Sequence, residues 1–205
     1  MNTKTVFAPG CALYAYKPDV IDSVRSFLQE RGMIDEMNLT CCKSCCESEE
    51  KITVIDCCPG CSHKFQILYP NARIVSLWKV LLNTDFPFPD YHGARMSIHD
   101  ACPARNRDSS EMRESARTLC RRMNITLVEP IHTMENSHCC GGSAPVLEER
   151  IRMAHARAAE FSEENVVVYC TGCTRSFSIT DKHPRYLLDL LFDQPTQGLT
   201  IKGLR

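Results

Sequence analysis

The chain has 205 residues, of which 43% are hydrophobic and 24% are charged, and its formal net charge at pH 7 is −1. This composition is typical of a globular protein large enough to bury a core, and it lacks the basic runs that nucleic acids or anionic membranes attract. No apolar run approaches the roughly 18 residues that span a bilayer, and 1–16 has no secretion-signal pattern. We therefore expect a cytoplasmic protein whose partners are proteins or small molecules.

Predicted helices and strands alternate along the chain. The predicted helices cover 19–31, 110–123 and 145–161, and the predicted buried strands cover 52–55 and 166–169. In the helix over 145–161, we interpret Arg150, Arg152 and Arg157 as the side that faces solvent. The segment 85–93 contains proline and glycine and is predicted to be a linker.

The sequence contains fourteen cysteines. Disulfides are rare in a reducing cytosol, so clustered thiols there indicate metal ligands or reactive thiols. Cys120 stands apart from the others, and its place in the helix over 110–123 predicts a small buried apolar side chain.

The order of the clustered cysteines repeats along the chain. The motif C-x-G-C-x-x-x-F occurs twice, at an offset of 112 residues, and each copy follows a predicted strand. Each half has a single cysteine, then an adjacent pair, then C-x-x-C: Cys11, Cys41, Cys42, Cys58 and Cys61 in the first, and Cys102, Cys139, Cys140, Cys170 and Cys173 in the second. This duplication predicts an α/β fold with two pseudo-symmetric halves, 1–94 and 95–205, and a site at the strand ends of each.

The number of thiols in each half favours a polynuclear centre. Five cysteines exceed the four that a tetrahedral zinc needs, and adjacent cysteines can serve different irons of a cluster. In the second half, Gly141 and Gly142 let the backbone pass close to a cofactor and offer it amide N–H groups. A zinc site and reduced thiols in a core remain open alternatives.

The cysteine motifs resemble the duplicated cysteine-rich CCG domain. That domain occurs in the B subunit of heterodisulfide reductase and in iron-sulfur subunits linked to lactate, glycolate and glycerol 3-phosphate oxidation. The resemblance covers nearly the whole chain and is strongest in the second half, where His99-Asp100-Ala101-Cys102 and Cys139-Cys140-Gly141-Gly142 both match.

The resemblance implies two Rossmann-like half-domains, each holding a noncubane [4Fe-4S] cluster through its five cysteines. It also implies an oxidoreductase or oxidoreductase subunit of anaerobic metabolism that reduces a disulfide by successive one-electron transfers. The chain lacks the regular cysteine runs of ferredoxins, so an iron-sulfur or flavin protein is expected to donate the electrons.

The first half departs from this pattern. Lys43 follows the cysteine pair instead of glycine, and fifteen residues separate Cys42 from Cys58, against twenty-nine between Cys140 and Cys170. Three extra thiols occupy this shortened segment: Cys45, Cys46 and Cys57. They are open to three interpretations: a replacement for a family ligand, ligands of a different cluster, or a redox-active thiol pair. Zinc is the alternative cofactor for this first site.

Beside the cysteines, His99 and Asp100 are candidates for proton transfer to a departing thiolate, or for orienting the ligand loop. His138 is either a hydrogen-bond donor to cluster sulfur or an exposed loop residue. Two function classes remain as alternatives to a disulfide reductase. One is an electron-transfer subunit of a flavin-dependent dehydrogenase, and the other is a structural or sensory protein with zinc or iron-sulfur.

Overall fold

A computed structural model describes residues 3–39, 51–106 and 109–198. The chain divides into two compact units, Met1–Asp85 and Phe86–Arg205. Each unit contains a four-stranded parallel β-sheet flanked by helices, which confirms the predicted α/β class. The boundary between half-domains 1–94 and 95–205 stays a prediction. Among the described helices, none is long and apolar enough to cross a membrane.

The first unit alternates strands and helices. Its elements are β1 (Lys4–Ala8), α1 (Cys11–Tyr16), α2 (Pro18–Glu30), β2 (Glu36–Met37), β3 (Ile52–Asp56), α3 (Pro59–Leu68), β4 (Arg73–Ser76) and α4 (Leu77–Leu82). The helix predicted over 19–31 and the strand predicted over 52–55 are confirmed as α2 and β3. One buried cluster in this unit joins β1, β3 and α3: Val6, Ala8, Ile52, Val54, Phe65 and Leu68. Continuous apolar strands of this kind are expected where helices cover a parallel sheet.

The second unit has a longer set of elements. They are β5 (Arg95–Ile98), a 3₁₀ turn (Cys102–Arg105), α5 (Ser110–Arg122), β6 (Thr126–Val128), a 3₁₀ turn (Met134–Asn136), α6 (Leu147–Ala158), β7 (Asn165–Val168), α7 (Thr171–Phe177), β8 (His183–Tyr186) and α8 (Leu187–Leu191). The helix predicted over 110–123 is confirmed as α5, where Cys120 is fully buried as expected. The helix predicted over 145–161 is shorter at both ends, because Val146 is still extended and Ala159 ends α6.

The two sheets have the same strand order. It is β2-β1-β3-β4 in the first unit and β6-β5-β7-β8 in the second. In each, the chain runs from a central strand to one edge and then returns on the other side of that central strand. Parallel α/β sheets open a crevice at such a switch point, outside the carboxyl ends of the two central strands. Those strands lead into Cys11 and Cys58 in the first unit, and into Cys102 and Cys170 in the second.

The arginines of α6 do not share a solvent-facing side, so that prediction was wrong. The side chain of Arg152 is 71% exposed, whereas Arg157 is only 1% exposed. Arg150 is partly buried and its Nε donates to the carbonyl of Ala144. Residues seven apart lie on the same side of a helix, so Arg150 and Arg157 both face the protein. The solvent side of α6 is instead partly apolar, with Leu147 45% and Ile151 38% exposed.

Candidate metal centre

All five cysteines predicted as ligands in the second half lie in one continuous group. The Sγ atoms of Cys139 and Cys102 are 3.6 Å apart, and those of Cys140 and Cys173 are 3.3 Å apart. Further hydrogen bonds join Cys139 to Cys140 and Cys173 to Cys170. Three segments that are distant in sequence supply these thiols: the turn after β5, the loop before α6 and the start of α7.

This thiol group has a buried side and a side that solvent reaches. Cys140 is 3% exposed and Cys173 is 2% exposed. Cys102, Cys139 and Cys170 are each partly exposed. A centre held by these residues would therefore be anchored in the core while one side stays accessible.

Hydrogen bonds between the thiols shift their pKa values in opposite directions. Hydrogen bonds from Cys102 and Cys140 lower the pKa of Cys139, and the backbone N–H of Gly141 donates to its Sγ at 3.4 Å. The pKa of Cys102 is correspondingly raised, first by its hydrogen bond to Cys139 and then by burial. A metal ion must displace the protons of these thiols, so binding here would be coupled to proton release.

Two glycines let the loop after the cysteine pair lie against its neighbours. Gly141 has φ +77°, and a Cβ there would be 2.7 Å from the Cβ of Met153 on α6. A Cβ at Gly142 would be 3.0 Å from the carbonyl oxygen of Gly172, inside the C-x-x-C motif. The glycines thus bring the cysteine pair and the C-x-x-C together, while their predicted contact with a cofactor stays a prediction.

Gly141→Ala is expected to lower the free energy of unfolding by about 2–4 kcal/mol, because it adds a clash to an unfavourable positive φ. Gly93→Ala is a matched control, since Gly93 has φ +79° but no atom within 4 Å of an added Cβ. Only the backbone cost of about 1 kcal/mol is expected there. Urea unfolding of both variants measures the difference, and equal losses would contradict the close approach of this loop to α6.

His99 lies fully buried beside the thiol group. One of its ring nitrogens and the Sγ atoms of Cys140 and Cys173 all lie within 4.8 Å of one another. Its Nδ1 accepts a hydrogen bond from Nε of Arg157 at 3.2 Å, and its Nε2 is buried with no hydrogen-bond partner in the described part of the chain. Burial and the nearby Arg157 charge lower the pKa of His99 to about 3, so the ring is neutral.

Asp100 points into a different network. Its carboxylate accepts two hydrogen bonds from Arg117, at 2.9 and 2.8 Å, and one from the hydroxyl of Tyr169 at 2.7 Å. It also accepts the backbone N–H of Met134, in the segment that leads to Cys139, at 2.8 Å. Burial raises the pKa of Asp100, but these hydrogen bonds outweigh it and the net pKa is lowered. These contacts favour an anion that positions the loop; the proton transfer predicted for Asp100 stays a prediction.

A second polar group lies at the surface nearby. The Nδ1 atoms of His132 and His138 contact the two carboxylate oxygens of Glu160 at 3.0 and 2.7 Å, and their rings stack with centroids 3.8 Å apart. The side chain of His138 is 53% exposed, as one of the two sequence interpretations proposed. Arg157 also donates to this carboxylate and opposes a cation there, so we interpret the group as an anchor for Arg157.

The first unit brings some of its predicted ligands to the corresponding crevice. A Cβ on Gly10, which has φ +91°, would be 2.8 Å from Sγ of Cys61, so Cys61 lies against the turn that leads into Cys11. Cys58 caps α3. The extra thiol Cys57 is fully buried, and its Sγ lies 3.5 Å from the carbonyl oxygen of Pro9. The remaining predicted residues lie outside the described part of the chain: Cys41, Cys42, Lys43, Cys45 and Cys46.

Beside Cys58, the carboxyl group of Asp56 is buried at the end of β3. Burial raises its pKa to about 7, although a hydrogen bond from Ser62 acts in the opposite direction. The sequence analysis did not single out Asp56.

A parallel α/β unit whose strand-end crevice holds five converging thiols defines a cysteine-rich domain suited to binding metal or iron-sulfur. The family comparison agrees with this class, because residues 96–178 match the model of the CCG cysteine-rich domain. Over these residues, the second unit is therefore similar to the CCG cysteine-rich domain. Comparisons with curated proteins and with solved structures found no match for this chain.

Proposed function

We propose that this chain is an iron-sulfur redox protein resembling the B subunit of heterodisulfide reductase, which reduces a disulfide or similar substrate with electrons from a partner. The observation that carries the proposal is the single group of five thiols in the second unit, with one side buried and one side open to solvent.

The donor set of the second unit fits an iron-sulfur cluster. Thiolates are the ligands that such clusters prefer, and five of them exceed the requirement of one zinc ion. The residues proposed to hold a noncubane [4Fe-4S] cluster are Cys102, Cys139, Cys140, Cys170 and Cys173. Such a cluster supplies one-electron redox chemistry when bound.

For the first unit, we propose a second such cluster. Its ligands by resemblance are Cys11, Cys41, Cys42, Cys58 and Cys61. The shortened segment between β2 and β3 and the extra thiols keep zinc as the alternative occupant there.

The exposed side of the thiol group supports direct contact with a substrate. Nε of Arg105 donates to the carbonyl of Cys102 at 3.2 Å, and its Nη1 donates to the carbonyl of Ser137 at 3.3 Å. These contacts fix a positive charge beside Cys102 and Cys139. A cation in that position would stabilise a thiolate released from a disulfide, because opposite charges attract each other.

An electron-transfer subunit of a flavin-dependent dehydrogenase complex is the second candidate. It is supported by the apolar solvent side of α6, the helix against which the Gly141 loop lies. Exposed apolar residues beside a redox centre are a suitable surface for a protein partner. In either function, the proposed electron donor is an iron-sulfur or flavin protein.

The test is the iron, acid-labile sulfide and zinc content of anaerobically purified protein, with EPR spectra of the oxidised and reduced states. About eight irons and eight sulfides per chain would support two [4Fe-4S] clusters, and about four of each would support the second site alone. Zinc without iron would overturn the redox proposal. Disulfide reduction by the purified protein with an artificial electron donor would then favour the enzyme over the electron-transfer subunit.

A further inference from the structure

We infer that Arg157 fixes the tautomer of His99, so that the Nε2–H of His99 donates a hydrogen bond to the sulfur of the centre held by Cys140 and Cys173. This assigns His99 as a donor to the centre and excludes it as a metal ligand. The inference rests on the proposed centre in the second unit, and it deepens that proposal by naming what tunes the centre.

Arg157 is held in place by groups other than His99. Its Nη1 donates to Glu160 Oε2 at 2.5 Å, and its Nη2 donates to the carbonyl of His132 at 2.9 Å and to Ser137 Oγ at 3.1 Å. The guanidinium carbon also lies 4.6 Å from the ring centroid of Phe161. A guanidinium is planar and rigid, so these contacts determine where its Nε–H points.

The direction of the Nε–H of Arg157 then determines which ring nitrogen of His99 carries the proton. Arginine has only donors, so His99 Nδ1 must present its lone pair to Arg157 at 3.2 Å. A proton on Nδ1 would place two N–H groups head to head. In the neutral ring the proton is therefore on Nε2, and a protonated nitrogen has no lone pair with which to bind a metal.

Within the described ranges, no other group accepts a hydrogen bond from the Nε2–H. Phe161 and Phe177 stand edge-on to the imidazole at 6.1 and 5.1 Å between centroids, with interplanar angles of 87° and 78°. These rings hold the imidazole in one orientation and keep water away from it. Nε2 is buried and has no hydrogen-bond partner among the described residues, while Cys140 and Cys173 are the thiols grouped with this ring.

A hydrogen bond to sulfur has a measurable consequence. It stabilises negative charge on the centre, and the reduced state carries more of that charge, so the bond raises the reduction potential. Arg157 is thus a positioning residue, because it acts on the centre through His99.

The test uses anaerobically purified, metal-loaded protein labelled with ¹⁵N-histidine. Pulsed EPR of the paramagnetic state is expected to show a weak nitrogen coupling and an exchangeable proton coupling, both lost in His99→Leu. The reduction potential should fall in His99→Leu and in Arg157→Met, and it should return towards the wild-type value in His99→Gln, whose amide N–H can replace Nε2–H. Arg152→Met is the matched control on the exposed side of α6 and should leave the potential unchanged.

A strong coupling from a directly bound nitrogen in the wild type would overturn the inference, as would an unchanged potential in His99→Leu. His99→Leu leaves the outer contacts of Arg157 in place and keeps the test decisive if Arg157→Met does not fold. Iron and sulfide analysis of the same samples distinguishes failure of this inference from failure of the proposed function. A loaded centre that shows none of these effects contradicts the inference but not the proposed centre. If the protein binds only zinc, ¹⁵N NMR of that diamagnetic form reports the tautomer: a proton on Nε2 supports the inference, and a proton on Nδ1 overturns it.

Discussion

Cys173→Ser is expected to abolish metal binding at the centre proposed for the second unit. Cys173 is 2% exposed in the first turn of α7, and its Sγ lies 3.3 Å from that of Cys140. Serine has nearly the same shape, but its hydroxyl is a hard ligand with a high pKa and does not replace a soft thiolate. Iron and sulfide content should fall to that of the first site, and any EPR signal from the second site should disappear.

Cys120→Ala is the matched control for this loss. Cys120 is also fully buried in the second unit, but it lies on α5 away from the thiol group. Its replacement should leave the metal content unchanged and reduce stability only modestly. Full iron retention in Cys173→Ser would contradict the assigned ligand set, and equal loss in both variants would mean that the metal is lost through general unfolding.

The sequence predicted the parts of this protein that depend on local patterns. The strands ending before Cys58 and Cys170 follow from β-branched apolar runs, and the repeated cysteine order placed the candidate ligands at strand ends. The convergence of thiols in the second unit follows from parallel topology, because the carboxyl ends of neighbouring central strands meet at one crevice. The ligand pattern of the first unit remains a prediction where it depends on residues 40–50, which lie outside the described chain.

The interior arginines could not be predicted in the same way. A charged residue in an amphipathic helix is normally exposed, and only a buried partner distant in sequence reverses this expectation. Arg157 donates a hydrogen bond to His99, which is 58 residues away in the sequence. Arg117 donates to Asp100, which is 17 residues away. For Arg117 the sequence holds a weak signal, because Arg117 lies one helical turn after Arg113 and beside the apolar residues of α5. The structure buries both arginines.

The adjacent residues His99 and Asp100 contact arginines of two different helices. The dipeptide follows β5 directly, and adjacent residues in extended chain point in opposite directions. His99 therefore meets Arg157 of α6, whereas Asp100 meets Arg117 of α5. One short segment before Cys102 thus links both helices to the thiol group: His99 lies beside the thiols, and Asp100 accepts a hydrogen bond from the loop that leads to Cys139.

Asp100→Asn is expected to lower the free energy of unfolding by about 3–5 kcal/mol at pH 7, the usual cost of breaking a buried ion pair. The carboxylate is fully buried and accepts four hydrogen bonds, including two from Arg117. An amide carries no charge to balance Arg117 and turns an N–H₂ towards donors. Urea unfolding measures the loss, and Glu163→Gln is the control, since its ion pair with the largely exposed Arg95 should contribute about 1 kcal/mol or less.

The pH dependence of this loss identifies the charge as its cause. The pKa of Asp100 is lower in the folded state than the unfolded value of about 3.9, so its contribution is fully present above that pH. It is lost as the pH falls through the folded pKa, because the carboxylate must then bind a proton. The stability difference between wild type and Asp100→Asn should therefore be constant near neutral pH and shrink in acid. A difference that grows on acidification, or a loss no larger than that of Glu163→Gln, would contradict the role of Asp100 as the anion that anchors Arg117 and the cysteine loop.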